Sequence, residues 1–284
     1  MNRLRSEFRE NGVVLVERAL DHDTVRLAEK AFNWSLNNPG PGARNVLAGT
    51  PGEFYQDHGN PRCFHAYREL LCDTNVPDLI AGILGCNNLW LLYEQIWLKD
   101  GGNKQRTPWH QDLPYIPLEG DDLAVLWTSL DVVAQENSLE FVPGSHRGPL
   151  FNPTAFKADD VSAAMFADGV WPALPDIEAK RSDFPIVSWA VQPGDAIIFH
   201  PAILHGGAPT RQGERRRTLS LRFFGDRAFC AERPDAGLAE IDRLKHDDGG
   251  SDPMKEMARA KPGTLFRHPR FPKLRPSENA LTQS

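Results

Sequence analysis

The chain has 284 residues, of which 40% are hydrophobic, and a formal net charge of −6. That length and apolar content support a single domain with a sizeable core, and the acidic balance speaks against nucleic acid or an anionic membrane as a partner. The four cysteines, Cys63, Cys72, Cys86 and Cys230, are scattered with no CxxC pair, so reduced thiols are expected in place of a disulfide framework or a zinc ribbon.

The opening MNRLRSEFRENG is charged and lacks the apolar run of about 7–15 residues that a signal peptide needs. No stretch reaches the roughly 18 apolar residues of a membrane span, so the expectation is a cytoplasmic protein. Val13–Val16 reads as a short strand. Asp21 and Asp23 offer caps for a helix running to about residue 37, where Asn37-Asn38-Pro39-Gly40-Pro41-Gly42 stops it. A second helix is expected over 77–84, with Gly85 closing it.

After Asn87 the pattern changes. Segments 89–99, 122–133, 139–142, 186–191, 195–200 and 216–224 are rich in β-branched, Leu and aromatic residues, and Gly, Pro and Asn cluster between them. Many short strands at such spacing imply a β sandwich or barrel. The stretch 148–184 breaks the rhythm and reads as an insertion over one end of the barrel, helical at 159–166, with Phe151, Phe156 and Trp171 as lid aromatics that either bind substrate or pack the lid. The tail from about residue 234 is polar, with one short helix expected at 238–244 and a mobile last dozen residues. The expected organisation is one mainly β domain, 1–284, with flanking helices. About 1–88 forms a mostly helical support, about 89–230 the barrel with its insertion, and about 231–284 a C-terminal extension.

Three short patterns carry the chemistry. In Trp109-His110-Gln111-Asp112, residues two apart in an extended segment share a face, so His110 and Asp112 can offer an imidazole nitrogen and a carboxylate oxygen to one ion. In QPGDAIIFHPAILHGG, a Pro-Gly-Asp turn feeds an apolar strand followed by His200 and His205. Two histidines and a carboxylate on one side of an ion form the facial triad of non-haem Fe(II) sites, which leaves adjacent positions open. In RRRTLSLRFF, alternation puts Thr218, Ser220 and Arg222 on the face of Arg216, and Leu219, Leu221 and Phe223 on that of Arg217. Arg216 is expected to point inward, where its planar fork suits a carboxylate. Arg222 and Arg227 meet an anionic substrate or face solvent.

With these parts in place, the chain resembles the phytanoyl-CoA dioxygenase family of Fe(II)/2-oxoglutarate-dependent oxygenases. The matching stretches are TPWHQDLPYIP, LAVLWTSLDVVAQENSLEFVPGSHRG, QPGDAIIFHPAILHGG and RRTLSLRFF, in that order. The resemblance implies a double-stranded β-helix, a cupin-like jelly-roll barrel, and the cofactors Fe(II), 2-oxoglutarate and O₂. It implies His110, Asp112 and His205 as iron ligands. Arg216, eleven residues beyond His205, would hold the distal carboxylate of 2-oxoglutarate, and Gln95, Thr107 and Trp127 would line its pocket. His200 and His146 are expected to be structural. Leu113, Pro114 and Tyr115 should border the pocket, while His22, His58, His65, His246 and His268 have no matching role. Some relatives carry a serine two residues after the distal histidine; here that position is Gly207, which offers no side chain. Related halogenases have Ala or Gly where Asp112 stands, so the resemblance implies hydroxylation or a related oxidation of a small molecule. Two alternatives use the same residues: a zinc-dependent hydrolase and a non-catalytic cupin-like binding protein.

Overall fold

Side chains along a strand alternate between the two faces of a sheet, and in this protein that alternation divides the core in two. The computed structural model describes residues 1–46, 53–100, 106–155, 163–167, 169–210, 213–234 and 253–276. Expectations that fall on Gly101 to Asn103, on Phe156, on 159–162, on the helix at 238–244 and on His246 lie outside the described residues.

The N-terminal part runs α1 (Asn2–Asn11), β1 (Val13–Val16), α2 (His22–Asn37), β2 (Arg44–Asn45), β3 (Glu53–His58), α3 (Cys63–Cys72) and α4 (Val76–Leu84). The Asp21 side chain caps α2 by accepting from Thr24 N at 2.8 Å, and Gly85 closes α4 at φ 80°. Next come β4 (Leu89–Asp100), β5 (Thr107–His110), β6 (Leu118–Gly120), β7 (Leu123–Ser129), β8 (Leu139–Phe141), β9 (Val187–Ser188), β10 (Ala196–Phe199), β11 (His205–Gly207), β12 (Arg215–Phe224), β13 (Ala228–Cys230), α5 (Pro253–Ala258) and β14 (Lys273–Arg275).

Among the described residues the strands form an antiparallel sheet in the order β1-β10-β7-β12-β4-β3-β2, with β14 also on β4. A smaller sheet has the order β5-β11-β8-β9, and β13 pairs with β6. The N-terminal part is therefore more than a helical support, because β1 to β3 are strands of the large sheet. β14 likewise fixes three of the last dozen residues.

On one face of the large sheet, Ala124, Leu126, Ala196, Ile198, Leu219, Leu221 and Phe223 pack against Phe32, Tyr67, Ile80 and Ile83 of α2 to α4. Each fully buried Leu, Ile or Phe there contributes about 1.5–3 kcal/mol relative to exposure. On the other face, Val125, Trp127, Ile197 and Phe199 meet Phe141 of the small sheet. Both faces are covered, so β7 is buried at every residue. The polar face of β12 and the cavity-facing side of β4 lie in the space between the two sheets.

The insertion differs from its expectation. Thr154 bridges Ala164 in antiparallel fashion, and Ala163 to Phe166 is not helical. Trp171 packs edge-on against Phe166 with ring centroids 5.3 Å apart, and Phe151 joins Trp109, Val142 and Ile177 in a small cluster. Phe151 thus packs the insertion onto the barrel, while Trp171 packs within the insertion.

Candidate metal centre

β5 delivers His110 and β11 delivers His205, and their register sets the two residues opposite each other, with ring centroids 4.2 Å apart. Asp112 arrives differently. The strand stops at His110, and Asp112, at φ −75° and ψ −33°, heads the 3₁₀ turn Leu113–Tyr115. The strand-face expectation is corrected here: a turn, not alternation, brings the carboxylate to the imidazoles. Asp112 Oδ1 lies 3.5 Å from His110 Nε2 and 3.8 Å from His205 Nε2. One ligand atom from each of the three residues lies within 4.8 Å of the others, and all three residues are buried.

The other ring nitrogens are engaged. His110 Nδ1 is 2.8 Å from Pro108 O, and His205 Nδ1 is 3.1 Å from Ile203 O. A carbonyl only accepts, so Nδ1 carries the proton and Nε2 presents its lone pair, as metal ligation requires. Burial, and then His110, push His205 down to about 3, which keeps its ring neutral. Burial favours a neutral Asp112, but the Arg222 guanidinium beside it overcomes this and holds the carboxyl well below the usual carboxylate range. Two neutral imidazoles and one carboxylate are the donor set that suits Fe(II).

Arg222 Nη2 donates to Asp112 Oδ2 at 2.8 Å, across 110 positions of sequence. One carboxylate oxygen is thereby occupied, and the other faces the imidazoles. The Arg222 guanidinium also lies 4.7 Å over the Tyr93 ring. Alternation had put Arg222 on the face of Arg216; what it touches there was not legible. Gln111, between the two ligands of its motif, donates to Ala202 O at 2.7 Å and accepts from Phe151 N at 2.9 Å. It ties the motif to the His200–His205 segment and to the insertion.

A cavity of about 330 Å³ opens beside these groups. Its lining includes His110, Asp112 and His205 together with Arg216, Gln95, Thr107 and Trp127. Tyr115 lines it, as expected of the segment after the motif, while Leu113 and Pro114 are buried away from it. His58, which sits in no motif, also lines it, with its ring 6.2 Å from that of Tyr93; burial first, then Arg222, press this histidine down to about 4. Arg216 is buried and donates to the carbonyls of Asn137 and Ala208. Burial lowers it to about 10, which still leaves the guanidinium charged at neutral pH. Arg215 is an exposed start of β12, and Arg217 is half-buried against Asp131 and Glu29. A Cβ added at Gly207 would stand 3.0 Å from Thr107 Oγ1, so the threonine hydroxyl fills the space that a side chain at 207 would take. His200 stays outside the metal centre: its Nε2 is 3.1 Å from Gly120 O, and its Nδ1 accepts from Ala202 N. His146 packs against His200 and under the αL Gly12 that ends α1, where a Cβ would lie 2.4 Å from the imidazole.

The family model for phytanoyl-CoA dioxygenase (PhyH) matches residues 8–218 of this chain. The chain belongs to the phytanoyl-CoA dioxygenase family. Its members are Fe(II)/2-oxoglutarate-dependent oxygenases, and the match takes in all three candidate ligands and Arg216. Among curated relatives, a probable phytanoyl-CoA dioxygenase of Caenorhabditis elegans is 28% identical over 53% of this chain and 48% of its own length. The peroxisomal phytanoyl-CoA dioxygenase of Rattus norvegicus is 32% identical over 44% of this chain and 35% of its own. The chain thus spans half or less of the length of these relatives. Among solved structures, the epimerase SnoN in complex with Fe³⁺, alpha ketoglutarate and nogalamycin RO superimposes with a TM-score of 0.69 at 22% identity, over 96% of this chain and 98% of that one. The carbocyclase SnoK from nogalamycin biosynthesis gives 0.65 at 18%, over 96% of each chain. The family's jelly-roll fold is therefore the fold of this protein. No helix of the described residues is long and apolar enough to cross a membrane.

Proposed function

We propose that this chain is an Fe(II)- and 2-oxoglutarate-dependent dioxygenase that hydroxylates, or oxidises in a related way, a small organic metabolite with release of succinate and CO₂. One observation carries the reading: a buried His/Asp/His group whose two Nε2 atoms and one carboxylate oxygen are turned together, in the same cavity as a buried arginine that no carboxylate pairs among the described residues. In this reading His110, Asp112 and His205 hold the iron and Arg216 holds the far carboxylate of 2-oxoglutarate. Gln95, Thr107 and Trp127 enclose it.

When bound, the metal and co-substrate supply the oxidising power from O₂. The chain supplies ligation, orientation and a site sheltered from water. His110 and His205 keep their Nδ1 protons on backbone carbonyls, which fixes the rings. Arg222 fixes the carboxylate. Tyr115, whose hydroxyl donates to Thr154 O at 2.6 Å, ties the cavity wall to the insertion and so restricts solvent entry on that side. Asp112 stands where a halide would need a vacant position, which supports oxygen transfer over halogen transfer.

Anaerobic titration of the Fe(II)-loaded protein with 2-oxoglutarate should develop a visible charge-transfer band, and a substrate screen should find coupled succinate release. Zinc as the resident metal, with no 2-oxoglutarate decarboxylation after iron is added, would favour the hydrolytic alternative. A chlorinated product formed in the presence of chloride would overturn the choice of oxygen transfer, and a product of unchanged mass but inverted stereochemistry would replace hydroxylation by epimerisation.

A further inference from the structure

Arg216 is not the only cation in its corner of the cavity. In the β12–β4 register its direct partner is Lys99, and both residues line the cavity. Lys99 is only 2% exposed. Its Nζ donates to Thr107 Oγ1 at 3.1 Å and sits 4.1 Å from the centre of the Phe54 ring. No carboxylate pairs with Lys99 or Arg216 among the described residues. The remaining charge near Lys99 is Arg106, a third cation, which is itself paired with Glu140 and Glu178.

A buried, unpaired charge is strongly destabilising, and two of the same sign facing each other across adjacent strands are worse. The two residues stand on neighbouring strands, and the Thr107 hydroxyl is the one hydrogen-bond acceptor for the lysine among the described residues. An anion in the cavity would give both groups the partner they lack.

We propose that Lys99 is a second cationic anchor for the far carboxylate of 2-oxoglutarate, which it shares with Arg216. The inference rests on the 2-oxoglutarate reading above and adds to it a binding residue from β4. Arg216 offers its planar fork to the carboxylate. Lys99 has donors left beyond the one on Thr107, since an ammonium carries three. Burial, and then the charges of Arg216 and Arg106, press the Lys99 amine well below the usual amine range. An incoming carboxylate relieves that pressure, so the cation pair favours a ligand with a distal carboxylate over one without. Thr107 enters as the group that orients Lys99, and Gly207 leaves room for it.

The test compares 2-oxoglutarate with 2-oxopentanoate, which keeps the chelating keto acid and lacks the far carboxylate. Dissociation constants are read from the anaerobic visible-band titration of the Fe(II) protein, with melting temperature as the check on folding. Lys99→Met should weaken 2-oxoglutarate about 10- to 100-fold, the range for a hydrogen bond to a charged group, and leave 2-oxopentanoate unchanged. Lys99→Gln, which retains a donor for Thr107, should behave likewise if Lys99→Met folds poorly. The preference for the dicarboxylate should shrink in Arg216→Ala and vanish only when both residues are replaced. Unchanged 2-oxoglutarate affinity in the Lys99 variants, or equal weakening of both keto acids, overturns the inference and leaves the oxygenase reading intact. A wild-type protein that gives no band with either keto acid overturns that reading and this inference together.

Discussion

Two buried charged corners of one cavity are built on opposite principles. At the metal corner the protein's own charges are matched: Asp112 has Arg222 on one oxygen and two neutral imidazoles facing the other. At the cation corner Lys99 and Arg216 face each other, and the hydrogen bonds they make among the described residues go to backbone carbonyls and one hydroxyl, none to a carboxylate. The contrast teaches how to read buried charge. A matched group pre-organises donor atoms before anything binds. An unmatched cation is costly to bury unless it sheds its proton or meets an anion, so this corner favours an anionic ligand.

The comparison can be broken most severely at the metal corner. His110→Ala or Asp112→Ala should reduce succinate release to background while the protein still folds, as followed by coupled turnover and circular dichroism; retained turnover in either would remove these residues from the metal centre. The next effect belongs to the cation corner. Arg216→Ala should raise the KM for 2-oxoglutarate about 100-fold, within the 2–5 kcal/mol lost when one partner of a buried charged contact is truncated, with a much smaller change in kcat. An unchanged KM would remove Arg216 from 2-oxoglutarate binding.

Arg222→Met probes the matching itself. It frees Asp112 Oδ2 and should weaken Fe(II) affinity about 10- to 100-fold, the usual cost of losing a group that supports a ligand. An anaerobic metal competition assay reads it directly, and unaltered affinity would show that the ion pair only packs the site.

The effect most remote from the ligands concerns a buried group that avoids charge altogether. Burial pushes His200 down to about 4 from the ordinary 6.5, with His146 adding to the push. Its folded value lies below its unfolded one, so the unfolded chain binds the extra proton. The stability this histidine contributes is full above pH 6.5 and is lost as pH falls towards 4, amounting to about 3 kcal/mol at the acid end. The melting temperature of the metal-free protein should drop over that interval, and His200→Gln should flatten the slope. An equally steep slope in the variant would assign the effect to other groups.

The metal residues were legible because the patterns that carry them are local. HQD spans the end of β5 and its turn, FHPAILH the short link from β10 to β11, and polar alternation along 215–224 was enough to separate Arg216 from Arg217. What was missed depends on distant partners. The same alternation put Arg222 on the face of Arg216 and left open whether it met substrate or solvent; its actual partner is Asp112, 110 positions away. Lys99 ends an apolar strand, where a lysine ordinarily reads as the exit to solvent; only the register with β12 buries it. α1 was not anticipated because Asn2–Asn11 is polar around most of its circumference and buries only Phe8. α3 mixes Cys, Phe, His and Tyr, residues of middling helix propensity, and its stability comes from packing on α2 and the sheet. β3, Glu53–His58, was not anticipated, and it is a strand because β4 offers it an edge.

That same logic of edges gives β1 a significance beyond its four residues. Val13 to Val16 lie along Phe199 to Ala196, register by register, and they end the large sheet on that side. Trimming the chain past them would bare an apolar Ala-Ile-Ile-Phe rim with unpaired backbone groups, the template from which chains recruit one another into aggregates. Variants shortened at this end are expected to be lost to self-association before the loss of any catalytic group could be measured.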